Sequence, residues 1–241
     1  MENENNDKFS SEIVTDFMII ENEEEEKIFL DGKRDCEYKR DELPSKIIEL
    51  EKKDQVLELQ TILRDRETNN SDFVFHADRL MRLVIEEGLN CLSYKEIVVK
   101  TPTGRFYRGL DFKKGNCAIS LCRSGECMET AMRQCCRSMR IGKILISEKE
   151  QKVLYSKFPP DINRRQVLLC YPILGTGETV IKALRILKEH NVKGKNIVLI
   201  SIFSTTKALI EIGKEFSHVR IITSDIGNVP FNFTQKYFGT D

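Results

Sequence analysis

The residues best suited to chemistry lie between Arg165 and His190, in the stretch RQVLLCYPILGTGETVIKALRILKEH. Val167 to Cys170 form an apolar run suited to a strand buried on both faces of a parallel sheet. Pro172 stops that strand, Gly175 and Gly177 bracket Thr176, and from Glu178 onward Val180, Ala183, Leu184 and Leu187 recur at helical spacing. The first-turn amides of a helix have no intrahelical partner and the macrodipole is positive there, so such a loop can hold a phosphate, with hydroxyls from Thr176 and Thr179. Glycines at 175 and 177 allow the backbone to approach an anion closely. By local chemistry alone, the loop fits a plain strand-to-helix connection equally well. A second turn of the same kind follows Cys117 to Cys122: Arg123, Ser124 and Gly125 precede a helix with a core stripe of Met128, Ala131, Met132 and Cys135. It adds a guanidinium, which grips phosphate oxygens in bidentate fashion. Two anion cradles are more specific than one.

These turns need a framework. A chain of 241 residues can bury a full α/β core. Its formal net charge is zero, yet residues 1–30 carry a net −8, leaving +8 on the rest, a balance that suits a phosphate-rich ligand. Residues 1–43 form an acidic arm with little to bury, for which disorder or loose docking is expected, and 44–241 form the folded domain. Further along, Phe73, Ala77, Leu80, Val84 and Leu89 predict a helix from about Asp72 to Glu87 with Gly88 as its stop, and leave Arg64, Arg66, Arg79 and Arg82 off its apolar face. His76 reads as a surface histidine. EIVVKT predicts a strand, TPTGRFYRGLDF a hairpin excursion turning at Gly104, and Gly142 to Ile146 a further strand. The eight cysteines contain no CxxC pair, which argues against zinc or a disulfide framework and for small buried hydrophobes; no metal ligand set is predicted. No apolar window is long enough for a membrane span and no signal peptide is evident, so a cytoplasmic location is expected, with the nucleus open. Basic residues are dispersed without aromatic interleaving, so no nucleic-acid surface is expected.

Strand, acid, Gly/Thr loop and helix make up the phosphoribosyl pyrophosphate (PRPP) motif of type I phosphoribosyltransferases, and the PxLxTG form resembles that of uracil phosphoribosyltransferases. The chain reads YPILGTGET where that family usually reads DPMLATGGS, so Tyr171 replaces the acid. LRDxxT, an ADRLxRLxxEE helix, the CRSGE turn, KFPPDI and a final YFGT extend the resemblance over residues 55–241. The resemblance implies a type I phosphoribosyltransferase fold: a mainly parallel sheet with helices on both faces. It implies PRPP binding by Arg123, Ser124 and Gly125 and by Tyr171, Pro172, Ile173, Leu174, Gly175, Thr176, Gly177, Glu178 and Thr179. It implies a GTP effector site at Arg79, Lys113, Lys114, Gly115, Asn116 and Arg140, magnesium (Mg2+) accompanying PRPP, uracil or a related base as second substrate, and a homodimer or higher homo-oligomer.

The family converts uracil and PRPP to uridine monophosphate and pyrophosphate through an oxocarbenium-like state, without a covalent nucleophile. Positioning and charge neutralisation do the work, and a carboxylate holds the ribose hydroxyls. Three departures bear on this. Tyr171 stands for the ribose carboxylate; ILISEKEQ puts Glu148 where the family has an arginine, with Lys149 beside it; and SDIGNVPFNFTQKYFGTD has a shorter base-covering loop, with Asn232 near the position of a missing acid. A tyrosine can donate a hydrogen bond but supplies no anion. Together these predict a homolog that retains phosphate or PRPP binding with weak or lost catalysis; the alternative is an active uracil phosphoribosyltransferase dependent on GTP or a partner subunit.

Overall fold

A computed structural model describes residues 43–44, 46–147, 152–227 and 233–239. The acidic arm, except for residue 43, lies outside the described residues, as do Glu148, Lys149 and Asn232. In chain order the elements are β1 (Ile47–Glu49), α1 (Asp54–Arg64), α2 (Asn70–Asn90), β2 (Tyr94–Lys100), β3 (Phe106–Phe112), β4 (Asn116–Cys122), a 3-10 turn (Ser124–Glu126), α3 (Cys127–Cys135), β5 (Arg140–Ile146), β6 (Val153–Lys157) and β7 (Gln166–Cys170). Then follow β8 (Ile173–Leu174), α4 (Glu178–Glu189), β9 (Ile197–Ile200), β10 (Phe203–Ser204), α5 (Thr206–Glu215), β11 (Arg220–Thr223), β12 (Asp225–Ile226) and α6 (Phe233–Phe238).

The main sheet runs β1-β11-β9-β7-β4-β5-β6, parallel throughout except for the antiparallel β5–β6 pair. The expected mainly parallel α/β architecture is therefore present. From β4 the chain moves through α3 to β5 on one side, then returns to the other side of β4 for β7, β9 and β11. Strand order thus reverses between β4 and β7, and in open α/β sheets that reversal opens a crevice at the carboxyl ends of the strands. The hairpin β2–β3 stands apart as its own two-stranded sheet and turns at Gly104, whose φ of +83° requires glycine.

Side-chain alternation divides the core. Leu168 and Cys170 of β7, Val198 and Ile200 of β9 and Ala118 of β4 pack in one cluster with α1, α2, α3 and Phe233 of α6. The alternate residues Val167, Leu169 and Leu199 turn to the opposite face, which α4 and α5 cover with Val180, Leu184, Leu187, Leu209 and Ile212. Gly88 is not a helix stop. It is buried inside α2, where a Cβ would come within 2.6 Å of the Ile200 side chain, so the glycine serves close helix-to-sheet packing and α2 runs on to Asn90. The sequence pattern missed β1, which pairs in parallel with β11 at the sheet edge.

Beyond the sheet's carboxyl edge, β7, β9 and β11 each break and resume as β8, β10 and β12, a second short parallel sheet. At these breaks the carbonyls still accept amides, Ile202 N–H to Pro172 and Ser224 N–H to Ile202, and buried hydroxyls add further bonds. Ser201 Oγ donates to the Pro172 and Phe203 carbonyls at 3.0 Å each, and Thr223 Oγ1 and Ser224 Oγ both donate to the Ile202 carbonyl.

Helix α6 is short and is held by its side chains. Phe233 is 1% exposed and its ring lies 5.3 Å from that of the fully buried Phe73, while Tyr237 donates to Asp78 at 2.7 Å. Truncating a buried phenylalanine leaves a cavity, so Phe233→Ala should destabilise the fold by about 3 kcal/mol. Urea denaturation of the purified variant checks this; an unchanged midpoint would show that α6 contributes nothing to the folded state.

Candidate functional site

Both anion turns leave the same edge of the sheet. β4 and β7 are hydrogen-bonded neighbours in parallel, with Ser120 opposite Cys170, so the turn at 123–126 and the loop at 171–177 emerge side by side. Their contact is close. A Cβ on the buried Gly125 would lie 2.6 Å from the Cys170 carbonyl oxygen and 3.2 Å from Ser120 Oγ, so glycine at 125 lets the first turn rest on the start of the second.

The second loop is fixed along its length by the β9–β10–α5 segment. Ile173 and Leu174 pair with Phe203 and Ser204, and the Tyr171 amide donates to the Ile200 carbonyl at 3.0 Å. Thr205 accepts from the Ala208 amide at the start of α5, and its hydroxyl donates to the Gly175 carbonyl while its amide donates to that of Leu174. Gly177 takes φ +83° at the N-terminus of α4, a left-handed conformation that a side chain would oppose, and packs against Ala208. Gly175 and Thr176 are exposed, and a Cβ at 175 would meet nothing within 4 Å, so the loop presents open backbone to the cleft. Thr176 Oγ1 lies 3.5 Å from the Glu178 amide. Pro172 and Leu174 are buried, Ile173 and Tyr171 half-buried, Glu178 exposed and Thr179 half-buried.

In the first turn Arg123 is exposed, Ser124 half-buried and Gly125 buried. The Glu126 amide donates to the Arg123 carbonyl at 3.0 Å, closing the 3-10 turn. Lys143 on β5 binds Glu126 at 2.8 Å and Glu129 at 3.0 Å. The hydrogen bond from Lys143 holds the Glu126 carboxyl below its ordinary range, so this contact persists in neutral solution and is lost as pH falls through the lowered value. Burial pushes the Cys122 thiol, at the foot of the turn, up to about 11, which keeps it protonated near neutrality. Thr234 of α6 donates to Ser124 Oγ at 3.1 Å, tying the last described helix to the turn.

Nearby at the same rim, Arg64 bonds Asp225 at 2.6 Å and lies over the Phe203 ring at 4.3 Å, and Lys52 also reaches Asp225, at 2.8 Å. Burial lowers the pKa of Arg64 from its ordinary value. Helical spacing marks Arg64 as one of several arginines off the apolar face; the structure makes it a bridge between α1 and β12. No local signal predicts that pairing, because its partners are 139 and 161 positions away in sequence.

The residues expected to bind an effector fall elsewhere. Lys113, Lys114, Gly115 and Asn116 lead into β4, and Arg140 opens β5 beside it, Cys117 pairing with Arg140. They share the amino edge of the sheet, opposite the anion turns. Arg79 sits midway along α2 with its guanidinium 5.8 Å from the Phe75 ring. His76 is half-buried, and its Nδ1 lies 2.7 Å from the Asp72 carbonyl of its own helix, as befits an ordinary helical histidine. Among the described residues no group of three or more His, Cys, Asp or Glu could hold a metal ion.

The family model for uracil phosphoribosyltransferase matches residues 50–229. The chain belongs to the uracil phosphoribosyltransferase family. It is 57% identical over 193 residues to a Danio rerio protein named uracil phosphoribosyltransferase homolog, covering 78% of this chain and 75% of the relative. The human protein of the same name is 54% identical over 212 residues, covering 86% of this chain and 68% of the relative. A Dictyostelium discoideum protein named uracil phosphoribosyltransferase is 40% identical over 212 residues, covering 82% of this chain and 98% of the relative. Among solved structures, the AQ2163 protein of Aquifex aeolicus aligns with a TM-score of 0.66 at 19% identity, covering 80% of this chain and 97% of its own, a likeness of fold. Family membership and sheet topology agree on the type I phosphoribosyltransferase fold.

The contact between the two turns is the feature most open to test. Gly125→Ala must push the first turn off the Cys170 carbonyl, which is backbone and cannot swing aside. The variant should lose about 1–3 kcal/mol of stability, as overpacked sites do. It should also lose any thermal stabilisation by inorganic pyrophosphate that the native protein shows in a melting assay; unaltered stability and pyrophosphate response would mean that the turns do not depend on each other.

Proposed function

We propose that this family member binds PRPP across the β4–β7 crevice and has weak or lost uracil phosphoribosyltransferase activity. The observation that carries the reading is the pair of backbone cradles on adjacent parallel strands, with Arg123 beside the first and the N-terminus of α4 behind the second. In this reading the amides of 175–179 and the threonine hydroxyls hold the 5′-phosphate, and Arg123 with the amides of 124–125 holds the pyrophosphate. Magnesium, when present, neutralises the pyrophosphate oxygens. Tyr171 occupies the step between the cradles where the ribose would lie, and a phenol cannot supply the negative charge that steadies a developing oxocarbenium ion.

Three further parts of the reading have their own support. The clustering of Lys113, Lys114, Asn116 and Arg140 at the opposite sheet edge suits a GTP effector. The hairpin exposes Val98, Phe106, Tyr107 and Leu110, at 61–77% of their surface, and such apolar exposure suits pairing with a second copy of the chain. Pyrimidine salvage in the cytoplasm or nucleus is the role that family membership suggests; among the described residues no helix is long and apolar enough to cross a membrane. A second reading, an active enzyme dependent on GTP or a partner subunit, is favoured by the Dictyostelium relative, whose name is that of the enzyme and which matches over nearly its whole length.

Incubating the purified protein with labelled uracil, PRPP and magnesium, with and without GTP, separates the two. The expected result is no enzyme-like formation of uridine monophosphate, together with PRPP-dependent thermal stabilisation; rapid turnover would overturn the proposal. Tyr171→Asp restores the carboxylate and should tighten PRPP binding by about tenfold, the scale of one charge-assisted hydrogen bond. Calorimetry reads that change, and an unaltered affinity would show that residue 171 does not meet the ribose.

A further inference from the structure

We propose that Lys143 is a positioning residue for the anion turn, engaging Glu126 so that the Arg123 guanidinium stays available to a pyrophosphate. The inference rests on the reading of that turn as a PRPP subsite.

Arg123 and Glu126 are three residues apart in a turn of 3-10 geometry, where side chains at i and i+3 eclipse one another. An arginine and a glutamate so placed would by default pair with each other. That pairing would consume the guanidinium and set a carboxylate against any incoming anion. The structure shows another arrangement. The Glu126 carboxylate turns toward β5 and accepts from Lys143 Nζ at 2.8 Å, and the same ammonium lies 3.0 Å from Glu129 Oε1 on the first turn of α3. Among the described residues, no carboxylate lies within ion-pair distance of Arg123, which is exposed. Lys143 thus answers two acids with one cation, and Arg123 is the other positive group close enough to act on Glu126.

The strand register gives Lys143 its place. It lies opposite Ser120 on β4, two residues before the end of that strand, so its side chain rises along the base of the turn. Gly142, immediately before it, is held against the Lys157 carbonyl and the Ile119 side chain, each within 2.7 Å of where a Cβ would stand, which fixes β5 against β4 and β6 at this point. The ammonium is therefore delivered by a tightly packed strand. Removing it frees Glu126 to swing back to Arg123 and leaves an uncompensated acid beside the subsite.

Calorimetric titration of PRPP with magnesium at low ionic strength tests this on the full chain. Lys143→Met should weaken binding about tenfold, the effect fading with added salt as a partly exposed charge effect does. Lys143→Arg should stay within about twofold, since a guanidinium can also span two carboxylates. Lys143→Met combined with Glu126→Gln should recover to within about threefold of the native protein, a rescue that loss of packing alone would not produce. Unchanged affinity in Lys143→Met, or no recovery in the double variant, overturns the inference while the subsite reading stands. If the native protein itself fails to bind PRPP, the subsite reading falls and the inference with it. Should Lys143→Met not fold, Glu126→Gln alone decides: PRPP should bind it at least as tightly as the native chain, and weaker binding would show that Glu126 aids the ligand rather than competing for Arg123.

Discussion

The hydrogen-bonded parallel pairing of β4 with β7 is the constraint on which the rest depends. These strands are adjacent in space but separated in sequence by α3, β5 and β6, and their register places Ser120 opposite Cys170. Each then ends in a short turn leading to a helix, so the pairing sets two sources of unsatisfied amides side by side without any side chain having to reach across. Gly125 makes the arrangement compact, because at that position even one methyl group would strike the Cys170 carbonyl. The side-by-side turns, and the anion site proposed for them, follow from topology and a missing Cβ more than from charged residues.

Around this crevice the molecule spends its buried polar groups on holding shape. Ser201, Thr223 and Ser224 bond the carbonyls exposed where β9 and β11 break, and Thr205 joins the Gly175 loop to α5. Arg64 and Lys52 share Asp225 at the same rim. A rim built this way is held by many hydrogen bonds, each of modest net worth. The site is thereby preorganised, which lowers the entropic cost of ordering it around a ligand.

Much of this was legible in the sequence. The strand-turn-helix rhythm of VLLCYPILGTGETVIKAL marks β7, the loop and α4, because fully apolar strands and 3.6-residue periodicity are strong local signals. CRSGE and the Met128, Ala131, Met132 stripe mark the other cradle in the same way. Gly88 misled because a glycine near the end of a helical pattern usually stops the helix, and only the approach of Ile200 from a distant strand explains it. Arg64, Lys143 and Thr234 were out of reach for the same reason: their partners Asp225, Glu126 and Ser124 come from other elements, and local spacing carries no record of those meetings. The three-residue β1 was too short for periodicity to reveal.

The bond from Thr234 to Ser124 has a practical corollary. Helix α6 runs on from this bond to the start of α2, where Gly239 comes beside Asn70. Because Phe233 and Tyr237 anchor the same helix to Phe73 and Asp78 of α2, any shift of the turn is transmitted through α6 to the hydrophobic core.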